Sequence, residues 1–195
     1  TITAPFAFEI RKSKKQLQAE EDSLLAEFHN LYDFKENIAN ENINKIQDKL
    51  GPSLDVVSGM YKKYIVNELS NIYKIGIISA ESIENLNTNG DSIIIILKEN
   101  ISNETAINDL YTTKSAYEQI IQNAPQFIDR NTLRDYNLNN YLQENIVFNQ
   151  TKTENLKKEN LKTISLTKGR IQSGEKIIDH GEIVTNKSFD ILNSL

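Results

Sequence analysis

Between Lys168 and Val184 the chain reads KGRIQSGEKIIDHGEIV, which brings together Gly169, Gly174, Gly181, Glu175, Glu182 and the neighbours Asp179 and His180. Such residue types could hold a phosphate or a cation. Gly169 and Gly174 have the glycine spacing of a phosphate-cradling loop, which places Lys and then Ser or Thr directly after its last glycine. Here Glu175 intrudes before Lys176, and Ile177 stands where a hydroxyl should meet magnesium. A carboxylate at that point repels phosphate, and strand formers follow where the helix N-terminus is needed. As cation ligands, Asp179 and His180 would point to opposite faces of a strand, and hard-ion sites need a convergent set of oxygens. The second histidine, His29, is far away in sequence. A His–Asp metal-hydrolase centre needs several histidines and the dipeptide in the order His-Asp, which this chain does not have. Cysteine is absent, which excludes disulfides and thiolate sites, and there is no Gly-x-Ser-x-Gly elbow. The expectation is therefore no catalytic residue, no metal and no cofactor in this chain. Gly169, Gly174, Glu175, Gly181, Glu182 and Thr185 read as architecture: the glycines make turns, the glutamates flank strands and Thr185 caps a helix.

The elements that would position this stretch are α+β. Long N-terminal helices pack with a small β-rich part at the middle and C-terminal end. Residues 13–50 read as one helix, opened by a Ser13–Gln16 capping box and striped by Leu17, Leu24, Leu25, Phe28, Leu31, Tyr32, Ile38, Ile46 and Leu50. It is stopped at Gly51-Pro52, or broken near the asparagines at 40–44. A second helix is expected over about 53–74, with Leu54, Val57, Tyr61, Tyr64, Ile65, Leu69 and Ile72 inward, ended by Gly76. The helical spacing of Tyr61, Tyr64 and Tyr73 favours core contact over a ligand slot. Asn89-Gly90 is a turn, residues 92–98 a buried strand, and 104–112 its potential partner. Residues 113–123 read as a helix with Ala116, Ile120 and Ile121 inward, 126–148 as short helices and loop, and 151–164 as a polar helix with its leucines inward. In the last segment Ile171, Ile177, Ile178, Ile183 and Val184 form short strands between glycine turns. A Thr185-capped helix then turns Phe189, Ile191 or Leu192, and Leu195 inward.

With 195 residues and no Ser-, Gly- or Pro-rich linker, the chain reads as a single domain over 1–195. Its subregions are 1–75 (helical), 76–125 (mixed), 126–165 (helical) and 166–195 (glycine-turn strands and a terminal helix). The net charge of −5 without a basic patch argues against a nucleic-acid partner. No apolar run is long enough to span a bilayer. The opening TITAPFAFEI has neither an initiator Met nor a charged n-region, so a piece of a longer protein is expected.

Both ends carry a resemblance. Residues 3–34, TAPFAFEIRKSKKQLQAEEDSLLAEFHNLYDF, resemble the segment after the first membrane helix of seven-transmembrane HD-domain phosphohydrolases. Residues 167–195 resemble the close of that family's extracellular domain. There Gly169, Ile171, Gly174, Glu175, Ile177, Ile178, Gly181, Glu182, Val184 and Thr185 fit the family's Gly-x-[Ile/Val]-x-x-Gly-Glu-x-Ile-Ile-x-x-Gly-Glu-x-Val-Thr run. The resemblance implies an extracytoplasmic sensor domain at the bacterial inner membrane, flanked by transmembrane helices. It implies a cytoplasmic HD domain that hydrolyses a cyclic dinucleotide, cyclic di-AMP in characterised relatives. Its extracytoplasmic ligand or protein partner is unknown. The alternative is a free periplasmic binding or adaptor protein. For a domain held between membrane segments, residues near 10 and 195 should lie together. The first helix should continue from a membrane helix, and any ligand pocket should sit between the helical part (13–75) and the β-rich part.

Overall fold

The computed structural model describes residues 1–52 and 55–195, so the expected inward position of Leu54 lies outside the described residues. The fold is α+β. The chain groups into two compact units, one made of residues 29–153 and one of residues 1–28 with 154–195.

The unit of residues 29–153 is built on a four-stranded sheet. Number its strands, in chain order, β3 (Leu31–Phe34), β4 (Ile93–Lys98), β5 (Ile101–Ala106) and β6 (Ile146–Phe148); they lie in the order β5-β4-β3-β6. β3 and β4 are parallel, with Leu31 opposite Ile95, and the other pairs are antiparallel. The β4–β5 hairpin turns at Glu99 and Asn100, both at positive φ (48° and 67°), which suits the twist of a tight hairpin. Between β3 and β4 run α2 (Glu36–Leu50), α3 (Val56–Ile75) and α4 (Ala80–Asn89), closed by Gly90 in the left-handed conformation. After β5 come α5 (Thr113–Gln122) and α6 (Arg130–Asp135). One core joins α2, α3, α5 and α6 through Ile46, Ile65, Leu69, Ile72, Ile120 and Leu133; a second lies between the sheet and α4.

The IGII segment at the end of α3 is pinned by a polar device. Buried Asn145 accepts from the Ile77 amide (2.7 Å) and donates to the Tyr73 carbonyl (3.0 Å). Gly76, at φ 118°, passes so close to Ile146 that a Cβ would lie 2.7 Å from its Cγ1. The three tyrosines of α3 behave as core residues with satisfied hydroxyls. Tyr61 accepts from the Asp129 amide (2.8 Å), Tyr64 donates to the Ile120 carbonyl (2.6 Å) and Tyr73 donates to the Tyr141 carbonyl (2.7 Å).

Several expectations are corrected. Residues 13–50 are not one helix: α1 (Lys14–Ala26) ends at the Glu27 cap, and β3 intervenes before α2. Leu31 and Tyr32 are buried because they enter the middle of the sheet, and strand pairing overrides their helix-compatible spacing. The asparagines at 40–44 do not break α2. Asn42 is fully buried, donating to the Ile38 carbonyl (2.9 Å) and to Gln143 Oε1 (3.1 Å). Val57 is exposed in the first turn of α3, where the core has not yet begun. The strand β6 inside the 126–148 segment was not expected; its three residues are too few to show periodicity.

Candidate functional site

The motif residues lie in the unit that holds both chain ends. There β1 (Ile2–Thr3) pairs antiparallel with β8 (Lys176–Ile178), and β2 (Phe8–Arg11) with β7 (Thr167–Ile171). α7 (Gln150–Lys162) precedes β7, and its leucines Leu156 and Leu161 are half-buried. The last helix, α8 (Asn186–Ser194), packs on β2 and β8, and Ala4, Ile10, Ile171 and Ile191 form the shared core. The Arg11 amide donates to Ser194 Oγ (2.9 Å), so the segments near residues 10 and 195 do lie together.

The seventeen-residue stretch resolves into one turn used twice. Gln172-Ser-Gly-Glu175 and Asp179-His-Gly-Glu182 each close with an amide at the glutamate donating to the carbonyl three residues back (3.1 and 3.2 Å). Gly174 (φ 79°) and Gly181 (φ 85°) occupy the third position, where a turn of type II requires positive φ. Each glutamate then folds its carboxylate back on its own turn. Glu175 Oε2 accepts from the Gln172 amide (2.9 Å), and Glu182 Oε2 from the Asp179 amide (2.7 Å). These carboxylates serve backbone donors and not a common centre. Gly169 differs, for it lies in β7 opposite Ile10, and a Cβ there would meet Ile10 Cδ1 at an ordinary 3.6 Å.

Charge holds the seams. Asp179 bonds Lys176 (2.6 Å) and the Thr1 hydroxyl; the Lys176 bond, then the Thr1 bond, keep its carboxyl below the usual range, and Asp179 in turn raises Lys176. Lys168 pairs with Asp190 and donates to Gln16 Oε1 (3.2 Å), which ties β7 to α8 and to the start of α1. Thr185 and Ser188 form the capping box of α8, with the Thr185 amide donating to Ser188 Oγ (2.8 Å) and the Ser188 amide to Thr185 Oγ1 (3.2 Å). His180 stands exposed in the second turn, and His29 belongs to the other unit. Among the described residues no three His, Cys, Asp or Glu converge on a possible metal position.

Other placements differ from the sequence reading. Ile183 and Val184 form no strand: β1 is two residues long, and no partner among the described strands reaches past Ile178. Phe189 and Leu195 are exposed, while Ile191 alone of the expected α8 residues is fully buried. The chain enters this unit through β1 and β2, and α1 is only the third element, so the first helix does not lead the chain in. The pairing of residues 2–11 with 167–178 was missed as well. Its one signal was the alternation in Phe8-Glu9-Ile10-Arg11, half-buried, exposed, buried, exposed.

In the unit of residues 29–153, a cavity of about 380 Å³ opens between α2, α3 and the sheet, lined by Phe34, Ala39, Ile43, Tyr73, Lys74 and Lys98 among others. Lys98 lies 4.7 Å above the Phe34 ring and pairs with Glu36 (2.9 Å). A larger hollow, about 540 Å³, flanks α5 and is lined by Thr113, Lys114, Tyr117 and Leu142.

The family model described as 7TM-HD extracellular matches residues 1–195, the whole chain. Neither the search of curated proteins nor that of solved structures gave a match.

Proposed function

The chain belongs to the family of extracellular domains of seven-transmembrane HD proteins, and from that premise we propose that residues 1–195 form one regulatory domain that senses a signal outside a bacterial inner membrane. It is not itself the catalytic HD domain. The parent protein's transmembrane and HD parts are implied by the family name, and the reaction controlled is hydrolysis of a cyclic dinucleotide, cyclic di-AMP by resemblance. The single observation that supports this role is the meeting of the two ends of the chain. β2, β7 and α8 share one small core, and Arg11 bonds Ser194. A domain whose entry strand β2 packs against its last helix α8 in this way converts a shift of α8 against β2 into relative motion of the two flanking membrane segments. The signal must bind one arrangement better than the other to bias it. Gly174, Glu175, Gly181, Glu182 and Thr185 serve this by fixing the geometry of the seam.

The test uses the full-length membrane protein with residues 1–195 replaced by a flexible Gly-Ser linker. Cyclic di-AMP hydrolysis by the HD domain should change severalfold, because the constraint between the membrane segments is gone. An unchanged rate would remove the regulatory reading. A parent protein that hydrolyses no cyclic dinucleotide before any change would remove the substrate.

A further inference from the structure

The terminal unit exposes several apolar side chains close to one another in the chain and its pairing. Ile183 is 88% exposed and Val184 54%, and Ile2, Phe6 and Phe189 are also exposed. Four of these five border one short ribbon. Ile2 lies in β1 opposite Ile178, and the Thr1 hydroxyl bonds Asp179, so the start of the chain touches the second Gly-Glu turn, from which Ile183 and Val184 follow. At the other end of the ribbon, Phe6 follows Ala4 and Pro5. Their carbonyls accept from the Gly174 amide (2.8 Å) and from Ser173 Oγ (3.5 Å) of the first turn. With β8 only three residues long, the two ends are roughly 10 Å apart. Phe189, also exposed, is the fourth residue of α8, whose cap Thr185 directly follows Val184.

We infer that Ile2, Phe6, Ile183, Val184 and Phe189 form a lipid-contact surface, seated in the headgroup region of the membrane to which the parent protein is anchored. Three observations commit the surface to lipid. The unit that carries it contains both ends of a domain whose family is defined as the extracellular part of a membrane-spanning protein. It holds eleven acidic and eleven basic residues, so the net charge of −5 falls on residues 29–153, and anionic lipid does not repel this unit. Exposed Lys187 flanks the apolar set and can reach headgroup phosphates while its stem lies along it; Lys176, also exposed, is held there by its ion pair with Asp179. Aromatic and branched apolar side chains beside lysines are the composition that settles at a bilayer interface. The seam described above would then be read directly by the membrane, since Ile183 and Val184 join the second turn to the capped start of α8. The inference rests on the extracytoplasmic placement.

The chain contains no tryptophan, so one can be introduced as a reporter. Phe6→Trp, Ile183→Trp and Phe189→Trp would be made singly in the full-length protein, with tryptophans elsewhere in the parent replaced by Phe, and reconstituted in nanodiscs of phosphatidylglycerol and phosphatidylethanolamine. Lipids brominated near the headgroup should remove about half or more of the emission at each site, as expected for side chains in the interface. N-acetyltryptophanamide in the same suspension should keep its emission. Adding Ile183→Asp and Val184→Asp, both at exposed positions, should restore emission at Phe189→Trp without lowering the melting temperature. Emission as insensitive to bromine as the free reporter would overturn the inference. So would blue-shifted but unquenched emission, which would assign the surface to a protein partner. Labelling of Lys63→Cys in intact cells by an impermeant maleimide separates the two failures. Labelling without quenching sinks the lipid surface alone, whereas no labelling sinks the extracytoplasmic placement with it.

Discussion

At the residue scale the two turn glycines carry a sharp expectation. An added Cβ at Gly174 or Gly181 would meet no atom within 4 Å, so the cost of substitution is backbone strain alone. Gly174→Val and Gly181→Val should each lose about 1–3 kcal/mol, and Asn at either site distinctly less, because Asn tolerates positive φ. Gly169→Ala should be nearly neutral. Glu175→Gln and Glu182→Gln should cost less than about 1 kcal/mol, since an amide oxygen still accepts from the backbone. Thermal melts decide it, and wild-type stability in both valine variants would contradict the turn assignment. The acid limb of stability should report Asp33. Burial pushes its carboxyl pKa up, but bonds from Lys152 (2.9 Å), Asn149 (2.8 Å) and Lys35 (3.2 Å) outweigh burial and hold it at about 2, against an ordinary 3.8. Because the folded value is the lower one, the contribution is complete above about pH 4 and is lost as pH falls through about 2. It amounts to roughly 2 kcal/mol. Urea melts across pH should show a flatter acid limb in Asp33→Asn, and superimposable limbs would refute this account. Gly174 and Gly181 were legible as turns from Ser173-Gly174 and His180-Gly181; Gly169 was not legible as a strand residue, because only Ile10 opposite it makes it one. Asp33 was not legible either, because two of its three partners, Asn149 and Lys152, are more than a hundred residues away.

At the scale of elements, α8 depends on its first turn. It has nine residues and buries only Ser188 and Ile191, so the capping box supplies much of what keeps it in place. Thr185→Ala should cost about 1 kcal/mol, whereas Lys168→Met, which removes a partly exposed ion pair, should cost less. Circular dichroism melts of the two variants would rank them, and the reverse order would show that the Lys168–Asp190 seam, not the cap, anchors the helix. Caps were the most readable feature of this chain. Ser13–Gln16 and Thr185 are where the residues indicated, since a cap is a contact between residues three apart. Strands were the least readable. Leu31 and Tyr32 continue the apolar stripe of the preceding segment well enough to pass for helix, and only Ile95, Ile96 and Phe148 opposite them make them β3.

At the scale of the whole molecule, the unit of residues 29–153 interrupts the unit made by the chain's two ends. Both larger cores lie inside it. Its own ends are tied together, with the Leu31 amide donating to Thr153 Oγ1 (3.0 Å) and the Asn149 amide to the Leu31 carbonyl (2.9 Å). A fragment of residues 29–153 should therefore fold alone with a single cooperative melt and dispersed amide resonances. A fragment without cooperative unfolding would show that the terminal unit is needed to complete it. The terminal unit has no such independence in sequence. Its pairs join residue 2 to 178 and residue 8 to 171, so it closes only when both ends of the chain are present.

The sequence by itself did not show α4; it determined the α+β class, the helices α3, α5, α7 and α8, the Ser13 and Thr185 caps, the β4–β5 region, the turns at Gly174 and Gly181 and, through its end motifs, the family. Each is local, set by residues within a few positions of one another. Tertiary structure alone decided that β3 interrupts the first apolar stripe and that Ile183 and Val184 lack a strand partner. It also decided that Lys168 gathers α1, β7 and α8, and that Arg11 meets Ser194. The physical reason is the same in each case. A strand's identity and a seam's partners depend on which distant segment lies alongside, and hydrophobic periodicity along one segment carries no information about its neighbour.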